Sequence, residues 1–182
     1  EEQESILDAA LGLLPLRRLR WHYRSRHQSL IAFSNYSFYD DNLVIFPSPE
    51  DTNKTFGVHY SKIKKGTFVD RRNIEEARVI ALAVKNHMIK NPDETLGVVA
   101  MNVQQREQIE REIEILAKEG DDQFAQIYEK NINLSHESFF IKNLENVQGD
   151  ERDVIYISMT YGPATIGGQV FKRFGDINKE TG

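Results

Sequence analysis

The order of the apolar segments constrains the fold of this chain most strongly. Residues 96–101 form an apolar run with almost no alternation of apolar and polar side chains, which is typical of a strand that is covered on both faces. Amphipathic helical patterns flank this run, and further candidate strands lie at residues 139–141 and 154–159. Strands that alternate with helices of this length predict an α/β fold with a mainly parallel sheet. In such sheets, ligands gather at the carboxyl ends of the strands.

The two flanking helices have clear sequence signals. The first is predicted to begin at Asn73, a good N-cap, because Glu76 lies three residues on in the spacing of a capping box, and Pro92 ends it. The second is predicted over residues 103–118, with Ile109, Ile113 and Leu116 facing inward. Earlier in the chain, residues 43–46 and 58–63 are predicted to be short strands, with a turn-rich loop at residues 47–53 between them.

Composition excludes several classes of protein. The 182 residues contain no cysteine, which excludes a disulfide scaffold, a cysteine nucleophile and a thiolate metal site. No apolar run approaches the roughly 18 residues of a membrane span, so we expect a soluble, cytoplasmic protein with no membrane partner. Four common motifs are also missing: the Walker phosphate loop, the G-x-G-x-x-G turn, the G-x-S-x-G elbow and the H-E-x-x-H zinc helix.

Charge is distributed unevenly along the chain. The formal net charge is -5, yet residues 9–39 contain five arginines and no acid, so the local field is positive. This segment is either a solvated or partner-docking face, or a site for an anionic ligand such as phosphate or nucleic acid. The acidic residues Glu145, Asp150, Glu151 and Asp153 are either a polar loop or the ligands of a magnesium-dependent nuclease.

Two segments carry residue types suited to nucleotide chemistry. In residues 19–27, the Tyr23 ring suits stacking on a base and the Arg24 guanidinium suits bidentate contact with a phosphate. In residues 146–153, Gly149 allows close backbone approach. Gln148 and Glu151 offer groups that bind a ribose, a metal-bound water or an arginine.

Taken together and in order, these segments resemble the second RecA-like motor domain of superfamily 1 helicases. Within superfamily 1, they resemble the group that includes the nonsense-mediated-decay RNA helicase and the Okazaki-fragment nuclease-helicase. Residues 21–27 with Phe38-Tyr39 are similar to motif IV, usually Q-Y-R followed by a helix and F-Y. Residues 73–77 match an N-x-x-E-A helix start, residues 97–106 resemble the G-I-I-T-P-Y-x-x-Q block, and residues 147–158 are close to motif V, F-Q-G-x-E-x-D-x-I-I-x-S.

The resemblance implies a three-layer RecA-like fold, with a mainly parallel sheet and no phosphate loop of its own. Residues 1–18 would be a lead-in arm, and residues 19–182 a second motor domain that stops before motif VI. The chain lacks an initiator methionine and ends in a polar stretch, so we expect a piece of a longer protein. Roles carried over from the family concern seven residues: Tyr23 beside adenine, Arg24 as the arginine finger, Gly149 and Glu151 lining the same cleft, Gln148 coupling it to nucleic acid, and Gln105 with Asn102 facing the single strand.

The resemblance also implies cofactors and partners. ATP and Mg²⁺ would be bound mainly by the missing first motor lobe of the same polypeptide, and single-stranded DNA or RNA would cross both lobes. The isolated piece would therefore be inactive. The sequence departs from the family at His22, where motif IV often has Gln, and at residues 100–102, where T-P-Y is replaced by A-M-N. The alternative is a non-catalytic nucleic-acid-binding or scaffold domain with a helicase-like fold.

Overall fold

The computed structural model describes residues 5–48, 56–119 and 122–170. The chain divides into two compact units, Glu1–Ser61 and Lys62–Gly182, and each is described by itself. Most of the predicted loop at residues 47–53 and the polar stretch at residues 176–182 lie outside the described residues. The predicted division of the chain after residue 18 stays a prediction.

The described residues of the first unit form two short parallel strands and two helices. Its elements are α1 (Ile6–Leu11), β1 (Trp21–His22), α2 (Ser29–Phe38) and β2 (Val44–Ile45). Trp21 pairs with Val44 and His22 with Ile45, which confirms the central part of the strand predicted at residues 43–46. The strand predicted at residues 58–63 is wrong, since these residues form no strand. There the backbone N–H of Val58 donates to the Ser29 hydroxyl and not to a neighbouring strand.

A buried asparagine shapes the connection between α2 and β2. The side-chain oxygen of Asn35 accepts from the backbone N–H of Leu43 at 3.0 Å, and its carbonyl accepts from the N–H groups of Tyr39 and Asp41. Asp40 and Asp41 both have positive φ, 51° and 54°, a conformation that aspartate tolerates better than most residues. This turn directs the chain into β2 beside β1.

The second unit has a three-stranded parallel sheet. Its elements are α3 (Ile74–Lys90), β3 (Leu96–Ala100), α4 (Val103–Lys118), α5 (Asp122–Ile132), β4 (Phe140–Asn143), a 3₁₀ turn (Leu144–Asn146) and β5 (Val154–Ser158). The strand order is β4-β3-β5, with both pairs parallel. The predicted α/β fold with a mainly parallel sheet is confirmed, and the arrangement is that of a RecA-like fragment.

The central strand β3 is buried along its whole length, as the lack of alternation predicts. Gly97 is opposite Phe140 in the β3–β4 register, and a Cβ atom on Gly97 would overlap the Phe140 ring. Glycine therefore lets the aromatic ring of the neighbouring strand lie directly against the β3 backbone. This packing fixes β4 beside β3.

Helices α3, α4 and α5 contribute most of the core around the sheet. The predicted bounds of α3 and α4 are confirmed, and the stripe Ala77, Ile80, Ala81 and Val84 is buried. Helix α5 has no counterpart among the sequence predictions. Its apolar residues Phe124, Ile127 and Tyr128 have the spacing of one helix face and pack on the core.

Candidate nucleotide and nucleic-acid sites

Tyr23 and Arg24 lie in the first unit, directly after β1. Both side chains are exposed, and Tyr23 keeps 90% of its surface. The backbone N–H of Ser25 donates to His22 Nε2 at 3.1 Å, and Ser25 Oγ lies 2.7 Å from the same nitrogen. His22 thus closes the tight turn that presents an aromatic ring and a guanidinium at the carboxyl end of a parallel strand. His22 therefore stabilises this turn, at a position where motif IV of the resembled family often has glutamine.

The motif V residues Gln148, Gly149 and Glu151 lie in the connection from β4 to β5, and all three are exposed. Gly149 has φ of 87°, and a Cβ atom there would meet nothing within 4 Å. The positive φ, and not crowding, is therefore what favours glycine. The backbone N–H of Asp150 donates to the carbonyl of Val147, which closes the turn around it.

Two basic side chains hold the part of this loop that follows Gly149. Lys142 Nζ forms an ion pair with Asp150 Oδ2 at 2.5 Å. The guanidinium of Arg152 donates to the carbonyl of Ser138 and packs over the Phe140 ring, 4.9 Å from its centroid. The loop is consequently anchored to β4, while its central polar side chains face solvent.

The carboxylates considered for a nuclease have separate structural contacts. Asp150 pairs with Lys142, and Glu145 accepts from the Asn143 amide. Asp153 Oδ2 accepts from both the backbone N–H and the hydroxyl of Thr95, which joins the starts of β3 and β5. Within residues 5–48, 56–119 and 122–170, no group of three or more His, Asp or Glu residues could hold a metal ion.

Asn102 and Gln105 are in direct contact at the start of α4, beyond the carboxyl end of β3. Asn102 is the N-cap of α4, and its side-chain oxygen accepts from the Gln105 N–H at 2.8 Å. The Gln105 side chain is fully buried. Its Oε1 accepts from the Asn73 N–H at 2.7 Å, while its Nε2 donates to the Asn73 carbonyl and to Ser158 Oγ. In this arrangement, Gln105 joins the starts of α3 and α4 to the end of β5.

The expected contact between Gln105 and a single strand stays a prediction. Because the Gln105 side chain has no exposed surface here, the junction gives it a second role, as an internal brace. A sequence signal for this burial exists: Gln105 lies four and eight residues before Ile109 and Ile113, on the same apolar stripe.

Glu76 completes this buried polar junction from the first turn of α3. The capping box is confirmed on its Asn73 side, whose side-chain oxygen accepts from the Glu76 N–H at 3.2 Å. Glu76 Oε2 accepts from the Asn73 side-chain amide. Glu76 Oε1 accepts from Ser158 Oγ at 2.7 Å and from the Thr160 N–H at 3.0 Å. No sequence prediction assigned Glu76, Ser158 and Thr160 to one cluster, because the contacts span more than 80 residues.

Thr160 is the strained member of this cluster. It is fully buried and has φ of 64°, a conformation that costs a β-branched residue on the order of 1–3 kcal/mol. The N–H of Tyr161 donates to the carbonyl of Met159, so Thr160 is the centre of a tight three-residue turn. The contacts from Glu76 to the Thr160 N–H and from the Asn73 amide to the Thr160 carbonyl hold the turn.

The seven candidate residues thus form three groups. Tyr23 and Arg24 form a pair in the first unit. In the second unit, Gln148, Gly149 and Glu151 share the β4–β5 loop, and Asn102 with Gln105 belongs to the junction at the carboxyl end of β3. Sequence reasoning missed the partners of that junction.

Comparisons with known proteins give two relatives that match nearly the whole chain. The uncharacterized ATP-dependent helicase MG140 of Mycoplasma genitalium is 32% identical over 169 residues, which is 92% of this chain and 14% of that protein. The uncharacterized ATP-dependent helicase MG140 homolog of Mycoplasma pneumoniae is 31% identical over 170 residues, with the same coverage. The chain therefore spans about one seventh of the length of these curated relatives, and it is related to a region of proteins named as helicases.

Other comparisons add no further relatives. No model of a protein family matches the chain, and no solved structure is significantly similar to it. In the described part of the chain, none of the helices combines the length and apolar character needed to cross a bilayer.

Proposed function

We propose that this chain is the second motor lobe of an ATP-dependent superfamily 1 helicase, in the group of the nonsense-mediated-decay helicase and the Okazaki-fragment nuclease-helicase. The observation that carries the proposal is similarity over 92% of the chain to proteins named as ATP-dependent helicases. The order of motif-like segments on a parallel α/β fold supports it. Residues 19–182 form the motor domain in this proposal, with residues 1–18 as a lead-in arm.

In this proposal, the first unit of the chain, Glu1–Ser61, supplies an aromatic ring and a guanidinium to the nucleotide. Tyr23 offers an exposed ring for the adenine, and Arg24 offers a guanidinium for the γ-phosphate. Both follow β1 directly, at the type of strand end where ligands bind in α/β sheets. Gly149 and Glu151 are also proposed to bind the nucleotide, and Gln148 is proposed to couple nucleotide binding to the nucleic acid.

ATP and Mg²⁺ are proposed cofactors of the two-lobed protein. The residues of this chain fit the nucleotide part, because an aromatic ring and a guanidinium are presented together on one turn. In this proposal, the Mg²⁺ would be held by the phosphates and by the first motor lobe, which lies outside this chain. When bound, the metal neutralises phosphate charge. Arg24 adds positive charge at the γ-phosphate as the lobes close.

The single-stranded nucleic acid is proposed to contact the second unit at the carboxyl ends of its strands. Asn102 is half-buried at the start of α4, where helix N-terminal N–H groups favour phosphate oxygens. The buried Gln105 side chain stabilises this edge through its hydrogen bonds to Asn73 and Ser158. Such backbone contacts depend strongly on salt and little on base sequence.

The test is an Arg24→Ala substitution in the complete protein that contains this chain. We expect ATP turnover to fall about 10³- to 10⁵-fold, the range typical of an arginine finger, while the affinity for a nucleotide analogue changes little. The matched control is Arg26→Ala, because Arg26 is also exposed and lies two residues away.

Two outcomes would count against parts of the proposal. Normal turnover in the Arg24→Ala protein would remove Arg24 from the catalytic site. Nucleic-acid binding without any turnover in the wild-type protein would favour the scaffold alternative.

A further inference from the structure

A basic segment precedes α3 in the second unit. Residues 62–72 contain five cationic side chains and one acid: Lys62, Lys64, Lys65, Arg71 and Arg72 with Asp70. All are exposed except Arg72, which is partly buried. Within residues 5–48, 56–119 and 122–170, none of the five cations forms an ion pair with a carboxylate. The segment therefore carries positive charge that the described structure does not neutralise.

A tight turn presents part of this charge to solvent. Val69 and Arg72 exchange both backbone hydrogen bonds, at 2.9 and 3.0 Å. The two residues between them, Asp70 and Arg71, have φ of 47° and 62°, as in the two-residue turns of hairpins. Arg71 is held in a left-handed conformation that is uncommon for a non-glycine residue. The turn thus fixes the backbone conformation of Arg71.

An aromatic pair lies beside the basic residues. The rings of Phe68 and Tyr161 are 5.1 Å apart at an angle of 58°, and both side chains are partly exposed. The Phe68 N–H donates to the Pro163 carbonyl at 2.8 Å, so the basic segment is joined to the chain that follows β5. Partly exposed aromatic rings beside a cationic track are the two features that bind single-stranded nucleic acid without sequence preference.

The buried junction positions this surface. Thr160 directly precedes Tyr161, and its strained turn is held by Glu76 and Asn73. Gly162 then packs on Gly66 and Asn73, since a Cβ atom on Gly162 would lie 3.7 Å from the Gly66 carbonyl oxygen and 3.7 Å from the Asn73 amide nitrogen. The aromatic pair is therefore attached to the carboxyl end of β5 through contacts that are buried or partly buried.

We propose that residues 62–72 together with Tyr161 form a binding surface for single-stranded nucleic acid. Phosphates contact Lys64, Lys65 and Arg71, and a base stacks on the Phe68–Tyr161 pair. The surface rests on the proposed helicase function and extends it, because it adds a contact made by residues outside every motif used to infer that function. It would also provide a contact with the nucleic-acid strand in a chain that has A-M-N at residues 100–102, where the resembled family has T-P-Y.

The experiment measures binding of labelled oligothymidylate and oligouridylate to the 182-residue chain by fluorescence anisotropy at several salt concentrations. Lys64→Ala with Lys65→Ala should weaken binding and should lower the slope of log affinity against log salt by about 1.4, or about 0.7 for each lost phosphate contact. The control pair is Lys90→Ala with Lys130→Ala, two exposed lysines on helices of the same unit, which should change neither value.

A second substitution tests stacking separately from charge. Tyr161→Ala should weaken binding about fivefold or more, as is typical when a stacked ring is removed, whereas Tyr161→Phe should retain it. Circular dichroism melting of each variant shows whether the fold is kept. The two labelled strands report whether RNA or DNA is preferred.

The outcomes separate this surface from the proposed function. If the wild-type chain binds and the surface variants behave like the control pair, the surface is wrong and the helicase proposal stands. If the wild-type chain binds neither strand, the surface is overturned, while the Arg24 test in the complete protein still judges the helicase proposal. Equal competition by a polyglutamate peptide would indicate unselective charge attraction and would also overturn the surface.

Discussion

At the scale of single residues, His87 is a titratable side chain whose pKa is changed by burial. It is buried near the end of α3, where its Nε2 lies 3.4 Å from Glu94 Oε2 and its ring meets Tyr156 edge-on. Its Nδ1 lies 3.3 Å from the Asn91 amide nitrogen. Burial lowers the pKa of His87 below the usual 6.5, and the Glu94 carboxylate partly opposes this. The folded protein therefore favours the neutral imidazole.

This pKa predicts how stability depends on pH. Between the lowered pKa and 6.5, the unfolded chain binds more protons at this site than the folded chain, so the free energy of unfolding rises with pH. The contribution is present above pH 6.5 and is lost as the pH falls, with a slope of at most about 1.4 kcal/mol per pH unit. His87→Gln should flatten this part of the curve.

Urea unfolding of the 182-residue chain at a series of pH values from mildly acidic to neutral measures this effect. His136→Gln is the matched control, since His136 is exposed and its replacement should leave the wild-type curve unchanged. An identical pH dependence in the wild type and in His87→Gln would show that His87 does not control stability in this range.

At the scale of elements, the junction around Gln105 joins two helix starts to one strand end. We predict that Gln105→Ala lowers the free energy of unfolding by about 3 kcal/mol. The substitution leaves the Asn73 N–H without its acceptor, and it opens a cavity. The matched control is Gln104→Ala, at the preceding and partly exposed position of the same helix. Chemical denaturation measures both variants, and equal stabilities would show that the junction contributes little.

The same elements show what the sequence could and could not predict. Helical spacing and capping signals located α3 and α4, because burial repeats with the helical period, and an unbroken apolar run located β3. The sequence pattern failed for residues 58–63, which form no strand although their composition is β-like, and there the Val58 N–H donates to the Ser29 hydroxyl. The polar junction was also missed, since glutamine on a helix is usually solvated and its burial depends on partners from distant segments. The sequence indicated Tyr23 and Arg24 as neighbours suited to a base and a phosphate, but the turn that His22 closes around them was not predicted.

At the scale of the whole molecule, the 182-residue chain lacks an element that the proposed ATP hydrolysis requires. The sequence contains no phosphate loop, which is the element that cradles the β- and γ-phosphates in this class of motor. The two groups that we propose for nucleotide binding, Tyr23 and Arg24, are solvent-exposed in the structure. An exposed guanidinium is screened by water and gains its full effect on phosphate only in a closed, dry site.

We therefore predict that the 182-residue chain alone hydrolyses no ATP above the buffer background, and that it binds nucleotide at best feebly. Phosphate release with excess ATP and Mg²⁺ measures the first quantity, and titration with a fluorescent ATP analogue measures the second. Arg24→Ala in the same chain is the control, and it should behave like the wild type in both assays because Arg24 has no bound phosphate to stabilise. Turnover that disappears with Arg24→Ala would contradict the two-lobe proposal, since it would place a complete catalytic site within this chain.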